Sequence, residues 1–188
     1  MLHTRKNETM NNPVVEAIKN RRTVARFEST PIDEDKLETI LEAGRWAPSW
    51  INKQPWSFTV ITDQRIKNLL SEVLPTAFVQ GLKESPVCVV ITVDPEQDPY
   101  HYVEAGATTA QNMALAAYSL GLGSSWIGVY DPKNQKGSAE AKVKDILNVP
   151  PKHRVIAVLP IGKIKFDVPK KERKQLKHIV FHEKFGQR

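Results

Sequence analysis

Cysteine is nearly absent: Cys88 is the single one among 188 residues. That excludes a disulfide framework and a thiolate metal set, and it suits a reducing cytosol. Because Cys88 sits inside the apolar run VCVVITV, it reads as core. The five histidines fall at no spacing suited to a metal site or a catalytic triad, so no catalytic acid, base or metal ligand is assigned. No stretch reaches transmembrane length without polar interruption, which argues against a membrane protein. The start MLHTRKNETMNN has no apolar h-region, so residues 1–12 read as a flexible leader and not a signal peptide. A glycine-rich dinucleotide fingerprint, internal repeats and low-complexity segments are also missing.

With 40% hydrophobic and 26% charged residues, the chain can bury one good core and is short for two, so residues 13–188 read as a single domain. The net charge of +6 and pI near 9.4 raise the question of nucleic acid. The excess lies around Arg21, Arg22 and Arg26 and in the tail from Lys163 to Lys184. The aromatics there, Phe27, Phe166 and Phe181, are too sparse for a base-stacking surface, and no recognised nucleic-acid motif is present, so a small anionic ligand fits better.

Helical and strand patterns alternate along the chain. Asn12-Pro13 opens a short helix, with Val14, Val15 and Ile18 on one face, that runs into Arg21. A second helix starts at Asp33–Asp35 and carries Leu37, Ile40, Leu41 and Gly44 at helical spacing. WSFTVIT alternates like a strand, QRIKNLLSEVL returns to helical spacing, and VCVVITV reads as a central strand buried on both faces. The small residues and low charge of 103–123 predict a helix enclosed by protein on most sides and stopped at Gly121 and Gly123. SSWIGVY reads as a strand, SAEAKVKDILN as an amphipathic helix and RVIAVLPIG as a core strand. The expectation is an α+β (α/β-like) fold with a mixed sheet flanked by helices. The tail 163–188 contains a β-like HIVF beyond the last core strand; it either frays or reaches a partner chain.

Between the second helix and the first strand lies RWAPSWINKQPW, residues 45–56, with three of the four tryptophans. Neither a helix nor a central strand tolerates this proline spacing, so the stretch reads as an ordered loop of the kind that holds ligands. Trp46 and Trp56, at its flanks, read as ordinary core.

Four segments in order, RRTVARF, APSWINKQPW, AQNMALAAYSLGLGSSWIG and KKERKQLKHIVFHEKF, resemble the flavin-dependent nitroreductase family. The resemblance runs from Val14 to Phe185. It implies an intertwined homodimer with FMN bound across the subunit interface. It also implies that Arg21, Arg22 and Thr23, with Lys171 and Arg173 from the tail, grip the FMN phosphate through paired guanidinium hydrogen bonds. The tail pair on its own could equally be a solvated charge run. Pro48, Ser49, Trp50 and Asn52 match a loop that reaches the partner's flavin. Ser125, Trp126, Ile127 and Gly128 match a strand end beside the flavin ring, where glycine permits close backbone approach.

The implied activity is reduction of nitroaromatic, quinone or related acceptors by NAD(P)H in a ping-pong cycle, the flavin carrying the chemistry. A same-fold flavoenzyme performing dehydrogenation or flavin turnover, and a cofactor-free basic binding module, remain as alternatives. One departure stands out. Ala25 occupies the place where relatives carry an arginine or lysine supporting the flavin, and the cation here, Arg26, is one residue along.

Overall fold

The computed structural model describes residues 12–74 and 78–188; the leader expected at 1–12 lies outside them except for Asn12. Two apolar strands organise the rest. β2 (Val87–Val93) and β5 (Arg154–Gly162) are buried at every position and pair antiparallel. β1 (Trp56–Ile61) flanks β2, while the short β3 (Gly123–Ser124) and β4 (Ile127–Gly128) both pair with β5, all antiparallel. The expected parallel component is confined, among the described residues, to one bridge between Thr23 and Ser124. The strand expected over SSWIGVY is reduced to β3 and β4.

A strand that is apolar at every position buries both its faces because successive side chains alternate. Val87, Val89, Ile91 and Val93 pack with Ile40 of α2 (Glu34–Arg45) and with Ala110, Met113 and Ala117 of α5 (Tyr102–Ser119). Cys88 and Val90 face the opposite layer, with Leu70 of α3 (Gln64–Val73), Leu82 of α4 (Val79–Glu84) and Val143 of α6 (Ala139–Leu147). Two helical layers thus enclose one sheet. Burial pushes the Cys88 thiol up to about 12, consistent with a core role.

Local chemistry sets the helix ends. The Asn12 side chain accepts from the N–H groups of Val14 and Val15 and caps α1 (Pro13–Asn20). Ser138 caps α6 by accepting from Ala141. α5 stops where Gly121 turns left-handed at φ +75, and the Leu122 N–H closes back on the Ala117 carbonyl. Glu140 of α6 is fully buried and accepts from Arg154 Nε and Nη2, each at 2.8 Å, and from the N–H groups of Asp131 and Val155. Burial pushes its carboxyl up, but these four bonds more than offset that and hold it below the usual range.

One expectation is corrected. Trp46 is not core: it is 73% exposed, its indole donating to Glu42 and its ring lying 5.4 Å from the Arg45 guanidinium. As the C-cap residue of α2, it leaves the helix pointing off the packed face. Trp56 does pack against the α5-side core. α5 is enclosed on most sides, being buried or half-buried at every position but Glu104, Gln111 and Ser119, and its remaining side borders an open groove of about 430 Å³ beside Trp46. Beyond the Phe27–Ile164 bridge, the tail has no sheet partner among the described residues; HIVF overlaps the 3-10 turn at Leu176–His178 and runs on as irregular chain.

Gly106 marks the tightest approach of α5 to the sheet, because a Cβ there would lie 2.5 Å from Ile156 Cγ1. Gly106→Ala should therefore destabilise the protein by about 1–3 kcal/mol through overpacking, with its helix-propensity gain offsetting only part. Chemical denaturation measures this, and an unchanged midpoint would show that Ile156 moves aside freely.

Candidate functional site

α1 ends when Arg21 turns to ψ 137 while its N–H still closes on Ala17. The chain then runs extended along the sheet edge: Val24 donates to the Ser124 carbonyl at 3.0 Å, and the Ser125 hydroxyl donates to the Val24 carbonyl. This seats Arg21, Arg22 and Thr23 against the returning tail. A pocket of about 180 Å³ is lined by these three residues together with Phe78, Val168, Pro169, Lys171 and Arg173. Segments about 150 residues apart in sequence converge there.

The pocket is electrostatically incomplete. Arg21 Nε is buried with no hydrogen-bond partner among the described residues. Burial, and then the charges of Arg22 and Arg173, lower the Arg21 pKa. Buried donors and mutually repelling guanidinium groups cost free energy until an anion satisfies them. A phosphate dianion, with three acceptor oxygens, matches this donor set.

The predicted loop is ordered by its own backbone. Ser49 Oγ accepts from the Gln54 N–H at 2.9 Å, and the Asn52 N–H donates to the Ser49 carbonyl. Ile51, Asn52 and Gln54 hold φ values of 40, 60 and 50, and for β-branched Ile51 this is strained. Trp50 meets the Tyr100 ring edge-on at 5.2 Å. The exposed Asn52 side chain has no hydrogen-bond partner among the described residues, so its amide is available. Pro48 lies against α5, its carbonyl 3.3 Å from the Thr108 hydroxyl, which has the Glu104 and Ala105 carbonyls of its own helix within 3.0 Å.

The loop and the cationic pocket stand apart within one chain. Thr108 lies in the first half of α5, whereas Tyr118 and Leu122, at its far end, line the cleft next to Arg21. Ten helical residues separate them, about 15 Å along the axis.

Of the strand-end residues, Ser125 is committed internally, since its N–H donates to the Pro160 carbonyl and its hydroxyl to Val24. It positions the edge and does not offer its side chain to a ligand. Ile127 is core. The N–H groups of Ser125 and Val129 point to β5, so by alternation those of Trp126 and Gly128 face away from it. A Cβ at Gly128 would meet nothing closer than the Trp126 indole at 3.4 Å, so this edge is open to close approach.

Phe78 and Val168 were not anticipated. Phe78 carries no polar signal in sequence, and Val168 could have been inferred only from its nearness to Lys171. Arg26 is engaged elsewhere: its Nε and Nη2 bind both Glu84 oxygens at 2.6–2.9 Å. The segment 23–27 bridges to Ser124 and Ile164 as extended chain.

A family model described as the nitroreductase family matches residues 18–163. The NADPH-flavin oxidoreductase of Vibrio harveyi is 31% identical over 186 residues, covering 93% of this chain and 74% of that one. A protein of Methanothermobacter thermautotrophicus, provisionally named NADH dehydrogenase/NAD(P)H nitroreductase, is 30% identical over 151 residues, covering 79% and 76%. The solved FMN-dependent nitroreductase of Clostridium difficile superposes with a TM-score of 0.80 at 27% identity, covering 90% and 99%.

Inorganic phosphate should raise the melting temperature of protein freed of small molecules, and Arg173→Ala should remove most of that gain. Occupancy at a hundred times Kd is worth about 2.7 kcal/mol; no phosphate effect in scanning calorimetry would mean that the cluster is not an anion site. The Arg26 guanidinium, aided by Gln80 and the Phe27 N–H, lowers the Glu84 carboxyl from 4.5 to about 2. Its contribution to stability is therefore full above pH 4.5 and is lost as pH falls through about 2. Glu84→Gln should flatten that acid limb of the stability curve, read by denaturant melts across the range.

Proposed function

Because this chain belongs to the nitroreductase family and its relatives include an NADPH-flavin oxidoreductase and an FMN-dependent nitroreductase, we propose that it is an oxidoreductase that holds one FMN per chain. In this reading it uses NAD(P)H to reduce nitroaromatic, quinone or related acceptors. The observation that carries the proposal is the partner-less, buried Arg21 Nε facing Arg22 and Arg173 in a phosphate-sized pocket.

FMN, when bound, supplies the redox chemistry in a ping-pong cycle, so no side chain is required as catalytic acid or base. This chain's residues bind and orient. Arg21, Arg22 and Arg173 neutralise the phosphate, with Thr23 and Lys171 beside them. The outward N–H groups of Trp126 and Gly128 are donors for a ring edge. Asn52 and Trp50, on the strained loop, offer an amide and an aromatic face at a location about 15 Å along α5 from the phosphate pocket. That separation supports completion of each site by the loop of a second copy.

Three further features support a homodimer. The groove beside Trp46 leaves one side of α5 uncovered, while Val14 and Ile18 of α1 are 62% and 53% exposed. The outer edge of β1 has no strand partner among the described residues. Leu176, Ile179 and Phe185 of the tail stand in solvent, so this tail can add to a neighbour's sheet edge and bury its apolar side chains there. No described helix is long and apolar enough to cross a membrane.

The purified protein should be yellow, bleach anaerobically with NADH or NADPH and recolour with a quinone or nitroaromatic. Colourless protein that takes up no FMN in titration would overturn the reading. Arg173→Ala should weaken FMN by roughly tenfold or more, as expected for loss of a charge-assisted contact, while leaving riboflavin, which lacks the phosphate, nearly unchanged. Equal losses for both ligands would remove the tail from the phosphate site.

A further inference from the structure

A second cavity, of about 410 Å³, lies away from the cationic pocket, where the ends of β1 and β2 meet the segment leading into α2. Its volume falls within the range of small-molecule sites. One wall is apolar and consists of Pro31, Ile32, Leu37, Pro86 and Val87. The same lining holds Lys67 of α3, which is only 4% exposed, with Lys83 and Glu84.

A buried ammonium has three donors to satisfy. Lys67 Nζ has one acceptor among the described residues, the Ser85 carbonyl at 2.6 Å, and no carboxylate within ion-pair reach. The candidates nearby are all committed. Asp63 binds Arg65 at 2.9 Å, and both Glu84 oxygens are taken by Arg26. The Gln64 amide donates to Asn68 and to the Lys83 carbonyl, so it cannot serve as a second anchor. Lys83 adds a further positive charge to the lining. The cavity therefore combines one underserved cation at its wall, no free negative charge and an apolar surface.

We propose that this cavity is a second ligand site that takes a small organic carboxylate, anchored on the Lys67 ammonium with its hydrocarbon body against Pro31, Leu37 and Val87. One buried ammonium matches one negative charge, whereas the several cations around Arg21 match a phosphate, so the two sites select different anions. The assignment does not rest on the flavin reading. Burial lowers the Lys67 pKa, opposed by Cys88 and Asp63, and a bound carboxylate would favour the charged form further.

The probe is benzoate, titrated into the full-length protein with its pockets near Arg21 filled by FMN or, should FMN not bind, by inorganic phosphate. Amide chemical shifts are followed by NMR. Benzoate should shift Leu37, Lys67 and Val87 saturably, and benzyl alcohol, the same ring without the charge, should not. Lys67→Met, which keeps the side-chain length, should weaken benzoate at least about tenfold. Absence of saturable shifts at those amides, equal response to benzyl alcohol, or shifts confined to Arg21 and Arg173 would overturn the proposal. The benzyl alcohol comparison decides the matter on the unaltered protein if Lys67→Met fails to fold.

Discussion

Everything in this molecule depends on two strands that cannot face water. β2 and β5 are apolar on both sides, so each face needs a complete helical layer, and the chain spends α2 and α5 on one and α3, α4 and α6 on the other. A fully buried strand gains about 25 cal/mol for each Å² of apolar surface hidden, a driving force that grows with every position of β2 and β5. Once both layers are in place, polar work is displaced to the rim. The cationic pocket, the strained loop and the open edge at Trp126–Gly128 all lie where strands or helices end.

Charge is handled in two different ways. Glu140 and Arg154 form a closed set: each oxygen of the carboxylate is used, Arg154 also donates to the Asp131 carbonyl, and its guanidinium lies 4.5 Å from the Tyr130 ring. Such a buried pair adds little net stability but is costly to break, so it pins residues 130–131 in one place behind β4. The arginines around the pocket are the opposite case, an open set whose repulsion has no internal answer. Closed sets hold architecture, and open ones await a ligand.

Much of the layout was legible because periodicity and capping are local. The continuous run VCVVITV, the Asn12 cap and the glycine stop after α5 all appear where the sequence pattern placed them. The burial of Trp46 was misjudged for a plain reason. An apolar surface in sequence does not say whether the chain itself or another molecule covers it. For the site, the convergence of Arg21, Arg22, Thr23, Lys171 and Arg173 matched the family resemblance, since the spacing of charges alone could not distinguish a pocket from a solvated run. The anchoring of Ser125 on Val24 depends on a contact across 101 positions, invisible to any local pattern. The pairing of Arg26 with Glu84, 58 residues away, is hidden in the same way.

The stitching of residues 23–25 to residues 124–125 has a kinetic meaning. Thr23 bridges Ser124, Val24 donates to Ser124, and Ser125 donates back to Val24. The arginine-bearing segment and the sheet edge therefore form one rigid body, and neither can swing open without peeling the other from β5. Opening on that side would require local unfolding of the edge, so an anion held at Arg21 exchanges on the other side, past the tail residues Val168, Pro169, Lys171 and Arg173.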